Sequence, residues 1–213
     1  MKLYAYWRST SSWRVRIGLQ LKRLDYEYVP VNLLEGEQHR EEYRALNPAE
    51  TVPLLETEED GRTVRLAQSM AILEYLEERH PEPALLPRHP YLRARTRMLA
   101  ECINSGIQPL QNLAVLQYVD AVLEGDKKEW AQHWIDMGLR ALQGMAEETA
   151  GTFLVGEQPT LADLYLVPQL YAARRFGVDL SSFGLLLRVE GACHDLPAFR
   201  AAHPDAQPDA VRH

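Results

Sequence analysis

Two cysteines, no long apolar run and no surplus of basic charge mark this 213-residue chain, and each shortage removes a class of protein. Cys102 and Cys193 lie far apart and outside any C-x-x-C spacing, which fits a reducing compartment rather than a disulfide scaffold. Both are expected in the core. The roughly 18 consecutive apolar residues of a membrane-spanning helix occur nowhere. The opening MKLYAYWRS lacks the apolar stretch of a signal peptide, so the cytoplasm is the expected location. A formal charge of -7 and a pI near 5.5 argue against a general binder of nucleic acid or anionic membrane, which would attract phosphates with positive surface. No metal is expected either, because the seven histidines show neither H-x-x-x-H nor a carboxylate at ligand spacing. Gly-x-Gly-x-x-Gly, Walker and Gly-x-Ser-x-Gly motifs are missing too, which leaves nucleotide binding and serine-hydrolase chemistry without support.

What is present is an ordinary globular composition, 46% hydrophobic and 25% charged, with enough chain for one large domain or two small ones. Residues 3–7 read as a strand; from Trp13 the pattern turns helical, with Trp13, Ile17, Leu21 and Leu24 on one stripe and Val15 and Leu19 on a second. Two stripes predict burial on two sides. A second strand over 26–32 completes a right-handed parallel βαβ unit. A polar helical stretch over 38–46 follows. Residues 52–56 and 63–66 then read as an antiparallel pair joined at Asp60-Gly61, and a helix opens at Ser69. This βαβ-ββα order resembles a thioredoxin-like domain over residues 1–80. Pro81, Pro83, Pro87 and Pro90 make 81–90 a linker. Residues 91–213 read as all-helical, with helices over 91–123, 127–149, 160–176 and 182–194, a short piece near Phe199, and a weakly ordered tail over 203–213.

Five constellations could carry chemistry. Arg8-Ser9-Thr10-Ser11-Ser12 lies between a strand and a helix N-terminus, where free N–H groups, the helix dipole and hydroxyl donors favour a thiolate or carboxylate; simple N-capping by one serine explains the same residues. Val52-Pro53 heads a strand, and Gln68-Ser69 opens a helix that offers a second anion site or an ordinary cap. Asn104, Gln108, Gln111 and Asn112, read on one long helix, share a face that suits a polar ligand or solvent, with a local kink at Pro109. Arg174-Arg175 ends a helix whose start carries a Thr160-x-x-Asp163 capping box, assigned to folding.

Taken together, S-x-S-S-W-R-V-R-I-G-L from Ser9, the Val-Pro strand, Q-S-x-A-I-x-E-Y-L-E-E from Gln68, L-L-P, G-I-Q-P-L-Q-N-L from Gly106 and T-L-A-D-L-Y-L-V-P-Q from Thr160 resemble the zeta class of glutathione transferases, from Leu3 to about Pro208. The resemblance implies a glutathione transferase fold, α/β followed by an all-α helical bundle, and a homodimer. It implies glutathione as cofactor. Ser9, Thr10 and Ser11 would approach the sulfur, and Val52 before a cis Pro53 would pair with the cysteinyl unit. Gln68 and Ser69 would hold the γ-glutamyl carboxylate, Gln38 would lie near the glycyl end, and Gln108 and Asn112 would close the cleft. The implied reaction is glutathione-dependent cis–trans isomerisation of a maleyl diacid, maleylacetoacetate before maleylpyruvate, with Arg8 and Arg175 gripping substrate carboxylates. General transferase activity and glutathione binding without turnover are the alternatives. The zeta pattern reads Ser-Ser-Cys-x-Trp where this chain has Ser9-Thr10-Ser11-Ser12-Trp13, so no protein thiol stands in the turn and glutathione must supply the sulfur.

Overall fold

The computed structural model describes residues 1–211. The chain divides into two compact units, Met1–Pro83 joined by the segment from Leu196 onward, and Ala84–Asp195.

In the first unit β1 (Lys2–Ala5), α1 (Thr10–Leu21) and β2 (Glu27–Pro30) form the βαβ half, and β3 (Leu54–Glu59), β4 (Arg62–Ala67) and α3 (Ser69–Arg79) the ββα half. A 3₁₀ turn over Glu37–His39 and the short α2 (Glu41–Leu46) lie between them. The sheet order is β2-β1-β3-β4, with β1 parallel to β2 and antiparallel to β3, and β3 antiparallel to β4. Alternation places Leu3 and Ala5 in the interior. Helix α1 begins at Thr10, ahead of the apolar pattern at Trp13. Its start is set by Ser9, whose Oγ accepts the Ser12 N–H at 3.2 Å. Every residue from Ser12 to Leu19 is buried, and α1 packs against α3 and α9 (Pro197–Ala201), as two apolar stripes require. The buried Lys22 Nζ clamps the ends of α1 and α3, donating to Glu77 Oε2 at 2.8 Å and to the carbonyls of His80 at 2.6 Å and Pro83 at 3.1 Å.

The C-terminal segment departs from expectation. Residues 203–211 are not a loose tail of the helical domain: Pro204–Ala206 form a 3₁₀ turn, Gln207 Nε2 donates to the Ala201 and His203 carbonyls, and Ala210 packs on the cluster of Tyr6, Trp7, Val31, Tyr43, Val52 and Leu54. Low apolar content hid this, because backbone and side-chain hydrogen bonds rather than periodicity hold the segment. Positions 212–213 of the expected tail lie outside the described residues.

The second unit carries α4 (Pro90–Asn104), α5 (Leu113–Ala121), α6 (Lys127–Ala146), α7 (Leu161–Phe176) and α8 (Gly184–His194). The single helix expected over 91–123 is therefore two, separated by a turn and a 3₁₀ segment over Gln108–Gln111. Pro109 does more than kink, since it supplies no N–H, and Gly106 lets the chain turn: a Cβ there would stand 2.5 Å from the Cys102 carbonyl oxygen. Asn112 then caps α5 by accepting the Ala114 N–H at 3.1 Å. The capping box of α7 forms as read, and the Cys193 side chain is fully buried, whereas Cys102 is only partly so. Among the described residues no helix is long and apolar enough to cross a membrane.

Candidate active site

The strand register decides which ends of the sheet meet. Tyr4 of β1 stands opposite Leu54 of β3, and Leu54 opposite Ala67 of β4, so the end of β1, the start of β3 and the end of β4 fall on one edge. The segments attached there are the Ser9 turn, Val52-Pro53 and Gln68-Ser69. Three motifs separated by tens of residues are thereby collected at one end of one sheet.

At the turn, the α1 backbone ladder begins with the Trp13 N–H on the Ser9 carbonyl at 2.9 Å. The Ser12 N–H goes to Ser9 Oγ, which leaves the Thr10 and Ser11 amides without an acceptor inside the helix. Ser9 and Ser11 are half-buried and Thr10 is buried. Two amides, a hydroxyl that keeps its own O–H, and the positive end of the helix dipole converge on a spot suited to an anion. The same helix carries two buried cations. Arg14 Nη1 donates to Ser69 Oγ at 3.2 Å, tying α1 to the first residue of α3. Arg16 donates to the carbonyls of Trp7 at 2.9 Å, Tyr6 at 3.4 Å and Ala202 at 3.1 Å. Burial lowers Arg16 to about 10, which leaves it charged at neutral pH.

The Val52-Pro53 peptide is cis, and because β3 pairing starts at Leu54 the Val52 N–H and C=O stay outside the sheet ladder. The carbonyl just before it is held firmly: Thr51 O accepts from Tyr43 Oη at 2.6 Å and Asn47 Nδ2 at 2.7 Å. Burial pushes Tyr43 up to about 12, so it stays a donor across the ordinary pH range. Gln68 is the α3 N-cap with φ of 73°, a left-handed conformation that a side chain adopts only under local constraint, and its side chain makes no capping bond. Ser69 is the first helical residue rather than the cap. The amides of Ser69, Met70 and Ala71 precede the first ladder bond, Ile72 N–H to Gln68 O at 3.0 Å, and form a second anion-seeking helix end. Gln38 is buried in the 3₁₀ turn; its Nε2 lies 2.9 Å from His39 Nε2, and its Oε1 is buried without a hydrogen-bond partner.

The remaining candidates divide. Arg8 sits on the turn with its guanidinium 5.4 Å from the Trp7 ring centre. Gln108, Asn112 and Arg175 belong to the helical unit, where Asn112 is an N-cap and Arg175 lies 5.9 Å over Phe176. The amide face read across Asn104, Gln108, Gln111 and Asn112 does not exist as a stripe, since α4 ends at Asn104 and Gln111 is buried against Gln169 at 2.9 Å. Arg174 is paired with Glu190 through two bonds at 2.6 and 2.5 Å. Sequence reasoning passed over Arg14, Arg16, Tyr43 and Asn47. For the arginines a signal existed, because two cations stand inside a helix predicted to be buried on both sides. Among the described residues no group of three His, Cys, Asp or Glu side chains could hold a metal ion.

Comparison with known proteins gives a consistent result. The glutathione S-transferase N-terminal domain matches residues 3–84 and the glutathione S-transferase C-terminal domain residues 136–198. A probable maleylacetoacetate isomerase 2 of Drosophila melanogaster is 50% identical over 209 residues, which cover 97% of this chain and 89% of that protein. The crystal structure of maleylacetoacetate isomerase from Anaeromyxobacter dehalogenans 2CP-1, with glutathione bound in its active site, has a TM-score of 0.92 and 58% identity, covering 99% of this chain and 97% of that one. The same protein has been solved with dicarboxyethyl glutathione and citrate in the active site. A bacterial zeta-class maleylpyruvate isomerase has a TM-score of 0.94 at 42% identity, covering 99% of this chain and all of that one. With its two characteristic domains matched, and with a zeta-class glutathione S-transferase of Euphorbia esula 48% identical over 99% of this chain and 93% of that protein, this chain belongs to the glutathione S-transferase family, in its zeta class.

Proposed function

We propose that the chain is a glutathione-dependent cis–trans isomerase that converts a maleyl diacid to its trans isomer, with maleylacetoacetate the preferred substrate. The observation that carries the reading is the single sheet edge that gathers the N-termini of α1 and α3 and the backbone of Val52, which lies outside the sheet ladder. Glutathione has a thiol, two carboxylates and two peptide groups, and this edge offers complementary partners for each kind. The α3 amides and Ser69 suit its γ-glutamyl carboxylate, the Val52 N–H and C=O suit strand-like pairing with its cysteinyl unit, and the orphan Gln38 Oε1 suits an N–H toward its glycyl end.

When bound, glutathione supplies the sulfur nucleophile that adds reversibly to the conjugated cis double bond, frees it to rotate, and leaves unchanged. The protein's part is electrostatic. Ser9 O–H would donate to the thiolate, the Thr10 and Ser11 amides and the helix dipole would add partial positive charge, and Arg14 and Arg16, buried on the same helix, would add full charges. Arg8, on the same turn, would grip a substrate carboxylate with its planar fork. Cys102 and Cys193 take no part, since burial pushes both thiols up and keeps them protonated. The reading carries with it a cytoplasmic location, where reduced glutathione is available, and a homodimeric state, which sedimentation equilibrium would measure.

Maleylacetoacetate is favoured over maleylpyruvate because the probable isomerase of Drosophila melanogaster and the isomerase of Anaeromyxobacter dehalogenans named for it are 50% and 58% identical to this chain, against 42% for the zeta-class maleylpyruvate isomerase. Paired assays with the two diacids, each with and without glutathione, test both points. Isomerisation should require the thiol and should run with the higher kcat/KM on maleylacetoacetate; equal rates without glutathione would sink the mechanism, and a preference for maleylpyruvate would reassign the substrate.

The Thr51 carbonyl gives a milder test of the glutathione site. Tyr43→Phe removes one of its two donors, and the slack passes to Val52. We expect KM for glutathione to rise about fivefold, the worth of one hydrogen bond of about 1 kcal/mol, with kcat at saturation little changed. A fall in kcat at unchanged KM would place Tyr43 in the chemistry instead.

A further inference from the structure

We propose that Asp209 is a positioning residue for the thiolate-holding turn, brought there by the folding of the C-terminal segment back onto the start of α1. The proposal rests on the thiolate site described above. Asp209 Oδ2 accepts the Trp7 N–H at 3.0 Å, across 202 residues of sequence and two residues from Ser9. The Trp7 carbonyl is held by Arg16, and the same guanidinium donates to the Ala202 carbonyl, so one buried cation and one carboxylate grip opposite sides of a single peptide segment. Ser9 N–H then closes the turn on the Tyr6 carbonyl at 3.0 Å.

The segment that delivers Asp209 is itself braced. Gln207 Nε2 reaches back to the Ala201 and His203 carbonyls, the Ala210 N–H bonds the Gln207 carbonyl, the His203 ring packs edge-on to Trp13 at 5.2 Å, and Ala210 lies on the cluster containing Trp7 and Val52. Among the described residues the charged and titratable groups facing Asp209 are Arg16 and Tyr28, with Tyr26 beside Arg16; burial, reinforced by the Asp209 carboxylate, pushes the Tyr28 hydroxyl up and keeps it neutral. A carboxylate acceptor is stronger than a neutral one, and Trp7 is buried, so loss of Asp209 leaves its N–H without a replacement partner. The turn then gains slack where placement matters: a shift of about 1 Å can cost about 10²-fold in rate.

The test uses the full-length protein and three variants, Asp209→Ala, Asp209→Asn and, as a control on the same segment, the exposed Asp205→Ala. The ultraviolet thiolate absorbance of bound glutathione is titrated against pH, alongside isomerase kinetics. Asp209→Ala should raise the thiolate midpoint by about one pH unit and lower kcat below that midpoint about tenfold. Asp209→Asn, whose amide oxygen can accept the same N–H, should recover most of the shift, and Asp205→Ala should match the parent. A midpoint unmoved in Asp209→Ala, with only a lower melting temperature, would overturn the proposal, as would an Asn variant as impaired as Ala. A parent midpoint at the ordinary thiol value of about 8.5 would instead defeat the thiolate reading on which the proposal stands.

Discussion

Replacing Ser9 by alanine is expected to lower isomerase turnover by about 10²-fold, the loss typical of deleting one preorganised donor to a reacting anion. The expectation comes from the two-sided chemistry of a hydroxyl. Ser9 Oγ already accepts the Ser12 N–H at 3.2 Å, which fixes its position, while its own proton stays available for a thiolate. The capping role and the catalytic role therefore coincide in one atom. Alanine removes both, so a stability loss of about 1 kcal/mol should accompany the kinetic one. Two neighbours serve as controls. Ser11→Ala and Thr10→Val keep the cap and the helix amides, and each should cost less than about tenfold. If Ser11→Ala instead shows the larger loss and Ser9→Ala loses stability alone, Ser9 is only a cap. Thiolate titration of bound glutathione separates these cases, because a capping defect lowers the unfolding free energy without moving the midpoint.

Asp163→Ala is expected to destabilise the helical unit by about 3 kcal/mol or more. The carboxylate is fully buried and accepts from the Leu154 N–H at 2.9 Å, the Thr160 N–H at 2.7 Å and the Thr160 hydroxyl at 3.0 Å. Alanine strands all three donors in the interior at α7, the helix on which α4, α6 and α8 pack. Denaturant unfolding measures the loss, and a value under about 1 kcal/mol would reduce the motif to an ordinary cap. The pH dependence has a definite sign. Burial raises Asp163 from 3.8 to about 6, against the opposing hydrogen bonds, so the folded protein holds a proton that the unfolded chain releases. Its contribution is therefore greatest on the acid side and is lost as pH rises through about 6. Relative to Asp163→Asn, which does not titrate, the parent should lose stability between roughly pH 4 and pH 6. A difference that grows with pH over that window would contradict the assignment.

Local patterns carried much of the reading. The Ser9 turn, the βαβ-ββα order, the hairpin at Asp60-Gly61 and the Thr160–Asp163 box all depend on residues within a few positions of one another, where backbone geometry and side-chain type act directly. Where two effects compete the pattern misled. A helical apolar period continues through residues 105–112, yet the lost donor at Pro109 and the close approach at Gly106 break the helix and disperse the amides. Periodicity records which face is apolar, not whether the backbone bonds can be made.

The turn with which the functional reading began shows the division most clearly. By itself the sequence determined that Ser9 to Ser12 stand between a strand and a helix, and hence that free amides and hydroxyls meet a helix dipole there. It also determined that no protein thiol lies in that turn. Tertiary structure alone decided what surrounds it: the register that brings Val52 and Gln68 to the same edge, the two arginines buried on the same helix, and the Asp209 carboxylate on the Trp7 N–H. Such contacts join residues tens to hundreds of positions apart, and a single polar side chain in a polar segment leaves no periodic trace. Only the folded chain, by closing those long loops, turns a generic helix end into one wall of a specific site.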